Sequence, residues 1–175
     1  MALTRLNGVN GITGTIPQGN IANASLGAVT ALPAAITTGK VLQVVSATDE
    51  TPRSTTSTSY VTGSNALAVD ITPTSASSKI FITMTTTVSS PSNTWAGHIT
   101  LYRGSTNLAT NQFINAHGTS TYQVEGGAIS FLDSPNTTSA TTYQVYIKIQ
   151  SGAPNGVTIN HGTSKGTITA FEIGA

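Results

Sequence analysis

The alternation of apolar and polar residues between Tyr143 and Gln150 constrains the fold of this chain more than any other feature. Every second position is apolar or aromatic: Tyr143, Val145, Ile147 and Ile149. The positions between them carry polar or amphipathic side chains: Gln144, Tyr146, Lys148 and Gln150. A period of two places the two sets on opposite faces, so this segment predicts a strand with one buried face. A second alternation at Ile129–Leu132 precedes it, and the polar stretch Asp133–Asn136 predicts a connection between the two. The pair is expected to form the central ribbon of an all-β domain.

Short alternating segments of the same kind recur along the rest of the chain. Strands are expected at 41–45, 54–62, 67–71, 79–88, 99–101, 157–159 and 167–173. The stretch Arg103-Gly104-Ser105 predicts a hairpin turn, and Thr72-Pro73 predicts the end of a strand. No segment keeps a helical period over three or four turns, and turn residues recur about every ten residues. The pattern predicts a β-sandwich or barrel of roughly eight to ten strands.

Charge is sparse, and its distribution excludes several classes of partner. Charged residues make up 7% of the 175 residues, whereas Thr alone occurs 32 times and suits a half-exposed pleated surface. The seven Lys and Arg residues are scattered singly, so no basic stripe exists to bind nucleic acid. The chain has no cysteine, which excludes disulfides and thiolate zinc sites. The N-terminus shows no secretory signal and no stretch is long enough to span a membrane, so no membrane insertion is expected.

Residues 1–39 differ from the rest and set the domain boundary before a β domain at 40–175. Gly8, Gly11 and Gly14 fall at steps of three, and several apolar residues follow at steps of five. The residues expected to pack along this segment are Val9, Ile12, Ile16, Ile21, Leu26 and Ile36. We interpret it as an extended anchoring arm or stalk that packs against copies of itself or against a neighbouring protein. A flexible Gly/Ala/Asn-rich linker is the alternative, and a pentapeptide solenoid has too few repeats to bury a core alone.

A series of short phrases resembles one family of viral proteins. The phrases are Gly39-Lys40-Val41-Leu42-Gln43-Val44-Val45, Val69-Asp70-Ile71-Thr72-Pro73, Leu101-Tyr102-Arg103-Gly104-Ser105, Phe131-Leu132-Asp133-Ser134-Pro135 and Thr167-Ile168-Thr169-Ala170-Phe171. Together they are similar to short jelly-roll domains of tailed-bacteriophage virion proteins, of the tail-fibre or structural type found in marine and cyanobacterial phages. The resemblance implies a jelly-roll-like β-sandwich, a homotrimer and a place on the surface of the phage particle. The motifs that carry it are structural.

Three motifs were weighed for chemistry, and none predicts a catalytic or metal site. Gly162-Thr163-Ser164-Lys165-Gly166 matches a nucleophile elbow, but the elbow needs a helix after it and the following residues predict a strand. Glycan-cleaving enzymes use a pair of carboxylates that face each other across the substrate. Asp49 and Glu50 do not form such a pair, because neighbouring strand residues face opposite ways. The tetrapeptide His-Gly-Thr-Ser occurs at His117 and His161 and predicts a repeated turn rather than a shared metal site. No enzyme activity, cofactor or metal is expected.

Contact with a host surface is expected on loops at one end of the sandwich, because strand residues are committed to ladders and packing. Asn93 and Trp95 lie in the first candidate loop, Ser89–Gly97. The second candidate segment runs from Asn111 to Tyr122, and the contact residues expected in it are Asn115, His117 and Tyr122. Aromatic faces can stack on sugars, so the candidates for contact with a glycan are Trp95, His98, Tyr102, Tyr122 and Tyr146. Packing in the core or between subunits is the alternative for each aromatic residue.

Two functions remain open. The first is a trimeric fibre or knob that is anchored to another virion protein through residues 1–39 and displays the β domain for attachment to the host, with a surface glycan as a candidate ligand. The second is a capsid decoration protein or head fibre that docks on the capsid and braces it. Both need an anchoring arm and an exposed β domain, so the sequence does not separate them.

Overall fold

The computed structural model describes residues 40–90, 96–117, 123–150 and 156–174. The chain divides into two units, Met1–Thr38 and Gly39–Ala175, and the described residues belong to the second. The predicted anchoring arm, with its residues Val9, Ile12, Ile16, Ile21, Leu26 and Ile36, therefore lies outside the described residues. Within the described ranges the regular elements are strands, apart from one 3-10 turn at His161–Thr163, which confirms the all-β prediction.

Twelve strands are present in these ranges, and eight of them build the two sheets. In chain order the principal strands are β1 (Val41–Asp49), β4 (Ala68–Ile71), β5 (Lys79–Ser90), β6 (Ala96–Arg103), β8 (Ile114–His117), β9 (Gln123–Asp133), β10 (Thr141–Ile149) and β12 (Gly166–Ile173). Four strands of two or three residues extend the edges: β2 (Arg53–Thr55), β3 (Val61–Thr62), β7 (Thr106–Asn107) and β11 (Val157–Ile159).

The order of the strands in each sheet identifies the fold. All pairings are antiparallel, and the first sheet runs β1-β12-β5-β9. In the same sheet β11 pairs with β5 and β2 pairs with β11. The second sheet runs β4-β10-β6-β8, with β3 beside β10 and β7 beside β6. Counting only the principal strands, this is the order first-eighth-third-sixth facing second-seventh-fourth-fifth. Two facing sheets connected in this way form a jelly roll, an eight-stranded double Greek key.

The core lies between the sheets and is made by the alternating positions that the sequence predicts. On β10, Tyr143, Val145, Ile147 and Ile149 are each at most 5% exposed, as predicted. The facing sheet contributes Ile80, Ile82 and Met84 from β5 and Ile168 and Ala170 from β12, all with 0% exposure. A period of two therefore identified the buried face correctly on both sheets.

The central-ribbon interpretation is wrong, because β9 and β10 do not pair. β9 pairs with β5 in the first sheet, whereas β10 pairs with β4 and β6 in the second. The seven residues between them, 134–140, carry the chain across the core from one sheet to the other. Alternation determines which side of a strand is buried, but it contains no information about which strand lies beside it.

Two further expectations needed correction. The predicted strand at 54–62 is reduced to its ends, β2 and β3. Between them Ser57 N donates to Thr55 Oγ1 at 3.1 Å and Ser59 N donates to Ser57 Oγ at 3.1 Å. Hydroxyls that bond nearby backbone groups compete with the ladder and form turns. Conversely, the predicted contact segment Asn111–Tyr122 contains a strand, β8, so Asn115 is a strand residue rather than a loop residue.

The described residues that flank three gaps, 91–95, 118–122 and 151–155, lie at one end of the sandwich. Ser90 pairs with Gln123, and Ala96 pairs with His117. Gly97 pairs with Ile149 and approaches Val157 of the facing sheet so closely that a Cβ at Gly97 would lie 2.8 Å from the Val157 Cβ. We call this end, defined by Ser90, Ala96, His117 and Gln123, the loop end.

Candidate functional site

The outer face of the second sheet carries a cluster of three tyrosines. Tyr102 of β6 and Tyr146 of β10 occupy diagonal positions of the antiparallel pair, so their side chains can touch. Their rings stack with centroids 4.0 Å apart and planes 25° apart. Tyr60, from the connection between β2 and β3, meets Tyr102 edge-on at 6.0 Å. All three rings are partly exposed. We call these residues the tyrosine cluster.

A polar row borders the tyrosine cluster on the side of the loop end. Lys148 of β10 lies in register with His98 of β6, and His98 lies in register with Asn115 of β8. The Lys148 Nζ is 4.6 Å from the centre of the Tyr60 ring, within the range of a cation–π contact. We call Lys148, His98 and Asn115 the polar row.

The electrostatics of this face favour uncharged hydrogen-bonding groups beside one cation. Burial, and then the nearby Lys148, lower the pKa of His98, so its imidazole is neutral at pH 7. A neutral imidazole offers one donor and one acceptor, and the buried His98 Nδ1 makes no hydrogen bond with the described residues. Burial and then Tyr102 raise the pKa of Tyr60 to about 12, so its hydroxyl stays protonated and donates to Asn111 O at 2.6 Å.

Such a face can bind a flat, hydroxyl-rich ligand by contact rather than by enclosure. Aromatic rings provide an apolar surface with a polar tip, and Lys148, His98 and Asn115 provide donors and acceptors. A cavity among the described residues has a volume of about 120 Å³ and is lined by polar groups that include Arg53, Thr62 and Asn65. Pockets for small molecules usually enclose about 300–1,000 Å³, so this cavity is smaller than a usual ligand pocket.

Only part of the predicted contact site lies within the described residues. Asn115 is exposed and belongs to the polar row. His117 ends β8 at the loop end, and its backbone pairs with Ala96. Asn93, Trp95 and Tyr122 lie outside the described residues, so their roles stay predictions. Their flanking residues, Ser90, Ala96 and Gln123, meet at the loop end, beside the polar row.

Tyr60 and Lys148 were missed by the sequence reasoning. Lys148 follows Tyr146 at the spacing of a strand face, so the outward set of β10 could have identified it. Tyr60 carries no such signal, because it reaches the cluster from a connection that is not a strand.

Two buried carboxylates, Asp133 and Glu172, have structural partners and lie at the end of the sandwich opposite the loop end. Asp133 accepts from Arg103 Nη1 at 2.8 Å and from the Tyr143 hydroxyl at 2.6 Å, and so ties the two sheets together. Burial and the hydrogen bond to Asp133 raise the pKa of Tyr143. Glu172 has 0% exposure and accepts from Gln43 Nε2 at 2.6 Å and from Thr74 N at 2.7 Å. These hydrogen bonds hold the edge strand and the β4–β5 connection against the core.

The nucleophile-elbow match folds as a turn into a strand. His161–Thr163 forms a single 3-10 turn with Gly162 at φ 66°, and β12 begins at Gly166. Ser164 hydrogen-bonds Thr87, and Lys165 pairs with Glu50 at 2.8 Å. The turn prediction for His161-Gly162-Thr163-Ser164 is confirmed. Among the described residues no group of three or more His, Asp or Glu residues could hold a metal ion, and no helix is long and apolar enough to cross a membrane.

No family model and no curated protein matches the chain. Solved structures that match include three capsid chains of infectious bursal disease virus. VP2 of the D431N mutant in T=1 particles is 14% identical with a TM-score of 0.40, over 74% of this chain and 36% of that chain. The structure of the Gx strain is 14% identical with a TM-score of 0.42, over 76% of this chain and 37% of that chain. The T13 particle is 14% identical with a TM-score of 0.42, over 77% of this chain and 36% of that chain.

This chain therefore spans a little over one third of the length of those capsid chains. The assignment of the jelly roll rests on the strand order of the two sheets, which is independent of these similarities.

Proposed function

We propose that this chain is a non-enzymatic structural protein of a tailed-phage particle, a homotrimeric fibre or knob whose β domain contacts the host surface. The observation that carries the proposal is the difference between the two outer faces of the sandwich. One face is almost free of charge and carries a row of apolar side chains, as described below. The other carries the tyrosine cluster and the polar row beside the loop end. A domain with one face for packing and another for contact suits a displayed knob.

The sequence supports the same proposal from a different direction. The phrases from Gly39 to Phe171 that resemble phage virion domains fall largely on jelly-roll strands, from β1 to β12. A sparsely charged surface rich in Ser and Thr is typical of virion-exposed β proteins, and 7% of the residues are charged. In this proposal residues 1–39 anchor the trimer to another virion protein.

The ligand that fits the contact face is a surface glycan of the host. Sugar rings present apolar C–H faces that pack on aromatic side chains, and their hydroxyls both donate and accept hydrogen bonds. Tyr102 and Tyr146 supply the stacked rings, and the polar row supplies the hydrogen-bonding groups. The neutral imidazole of His98 suits a ligand that carries hydroxyls.

Binding of the purified protein to host cells tests the proposal directly. Lys148→Ala removes the cation of the contact face, and we expect cell binding to weaken at least tenfold with little change in melting temperature. Lys40→Ala is the matched control, because Lys40 is exposed and lies directly before β1 of the other sheet, outside its outward strand positions. Equal binding of both variants and the unchanged protein would reject the contact face.

A capsid decoration protein or head fibre is the second candidate. It needs the same anchoring residues 1–39 and the same displayed β domain, so the sequence features that support the fibre support it as well. Copy number separates the two functions: a few trimers per particle indicate a tail fibre, whereas many tens to hundreds of copies indicate the capsid. Quantitative gel analysis of purified particles measures this number.

A further inference from the structure

The outer face of the first sheet carries an apolar row that crosses the sheet from edge to edge. Val44 of β1 lies in register with Phe171 of β12, Phe171 with Phe81 of β5, and Phe81 with Leu132 of β9. Val44 is 52% exposed and Leu132 49% exposed, at the two edges. The two phenylalanines are partly exposed between them, with ring centroids 6.2 Å apart. A contiguous apolar patch on a protein surface is typical of an interaction site.

The rest of this face is short and neutral. The next row consists of Ser46, Thr169, Thr83 and Ser130, and the one after it of Thr48, Thr167, Thr85 and Ala128. Among the outward positions of the four principal strands in the described ranges, Lys79 is the only charged residue, and it lies at the first position of β5. The face shares the sparse charge of the whole chain, in which 7% of the residues are charged, whereas an average domain carries about a quarter.

The hydroxyls of this face bond to each other across the strands. Ser46 Oγ and Thr169 Oγ1 are 2.9 Å apart, and so are Thr85 Oγ1 and Thr167 Oγ1. Removing water from a polar group is costly mainly when the group is left without a partner. Because these hydroxyls already have partners, covering the face costs less than its Ser and Thr content implies.

We infer that the outer face of the first sheet is the surface through which copies of this chain pack together. The occupant is a second copy because, where identical chains close a ring, the residues nearest the axis meet their own equivalents and any charge there would be repeated. A neutral face avoids that repulsion. A different protein would find almost no charge on this face by which it could be recognised specifically. This inference rests on the self-association in the proposed function and assigns the surface that mediates it.

A charge placed on this face tests the inference. Ser130→Lys changes an exposed outward residue of the edge strand β9, and Asn115→Lys makes the matched change on the edge strand β8 of the other sheet. At a concentration where the unchanged protein sediments as a trimer, we expect Ser130→Lys to sediment as a monomer and Asn115→Lys as a trimer. Circular dichroism and thermal unfolding check that both variants are folded. A trimer in both variants overturns the inference.

Cysteine crosslinking gives a second, independent measurement, because the chain has no natural cysteine. Ser130→Cys should form crosslinked chains with a short bis-maleimide, and Asn115→Cys should not. Crosslinking of Asn115→Cys alone would place the interface on the other face. That result, or a trimer unaffected by Ser130→Lys, would contradict the assigned surface but not the proposed trimer. If the unchanged protein is a monomer, both the assigned surface and the proposed trimer are wrong.

Discussion

At the scale of single residues, Glu172 shows how a buried carboxylate stabilises this fold. Burial alone raises the pKa of Glu172, but hydrogen bonds from Gln43 and Thr74 outweigh it and lower the pKa to about 2 from an ordinary value of 4.5. A lowered folded-state pKa adds stability above pH 4.5, and that stability is lost as the pH falls towards 2. At about 1.4 kcal/mol per pKa unit the contribution is roughly 3 kcal/mol.

The variant Glu172→Gln should therefore be less stable than the unchanged protein at pH 7, by about 1–3 kcal/mol. The reason is that its amide would place a donor against the Gln43 amide, which also donates. The difference should shrink as the pH falls from 4.5 to 2, because the unchanged protein loses its advantage there. Urea unfolding at several pH values measures this. A difference that stays constant across that window contradicts the assigned pKa.

Gly97 is required by the close approach of the two sheets. A Cβ at this position would overlap the Val157 side chain, whereas a Cβ at Gly126 of β9 would have no atom within 4 Å. We expect Gly97→Ala to cost about 1–3 kcal/mol of unfolding free energy, as other overpacked sites do. Gly126→Ala, the control, should be neutral or slightly stabilising. Similar melting temperatures for the two variants would show that the sheets can separate at this point without cost.

At the scale of elements, the tyrosine cluster couples β6 to β10 on the solvent side of the second sheet. The stacked rings of Tyr102 and Tyr146 should contribute about 0.5–1.5 kcal/mol beyond the area that they bury. A double-mutant cycle with Tyr102→Leu and Tyr146→Leu isolates this coupling energy. If the effects of the two substitutions simply add, the rings do not support each other and are free to serve the contact face alone.

At the scale of the whole molecule, the buried core of the described residues extends from Leu67 to Ala170. We therefore expect a chain lacking residues 1–39 to fold with a cooperative thermal transition and to fail to join the particle. Circular dichroism and the protein content of particles assembled with the truncated chain measure the two parts. Normal incorporation would show that residues 1–39 are only a tether.

The sequence by itself determined the all-β class, the position of most strands and the buried face of the clearly alternating ones, such as β5 and β10. Tyr143, Val145 and Ile147 are buried because side chains alternate across a strand, and this property is local. Local chemistry also identified the turn at His161–Thr163. Hydroxyl turns such as Ser57 to Ser59 are harder, because Ser and Thr serve strands and turns equally well.

Only the tertiary structure decided which strands are neighbours, and with that both surfaces of interest. The apolar row needs Val44, Phe171, Phe81 and Leu132 from four strands that are distant in sequence. The tyrosine cluster needs Tyr60 from a connection to reach Tyr102 and Tyr146 on two strands. The physical reason is that strand pairing is a property of two segments at once. Alternation within one segment fixes the direction of its side chains, and it leaves the identity of the adjoining strand open.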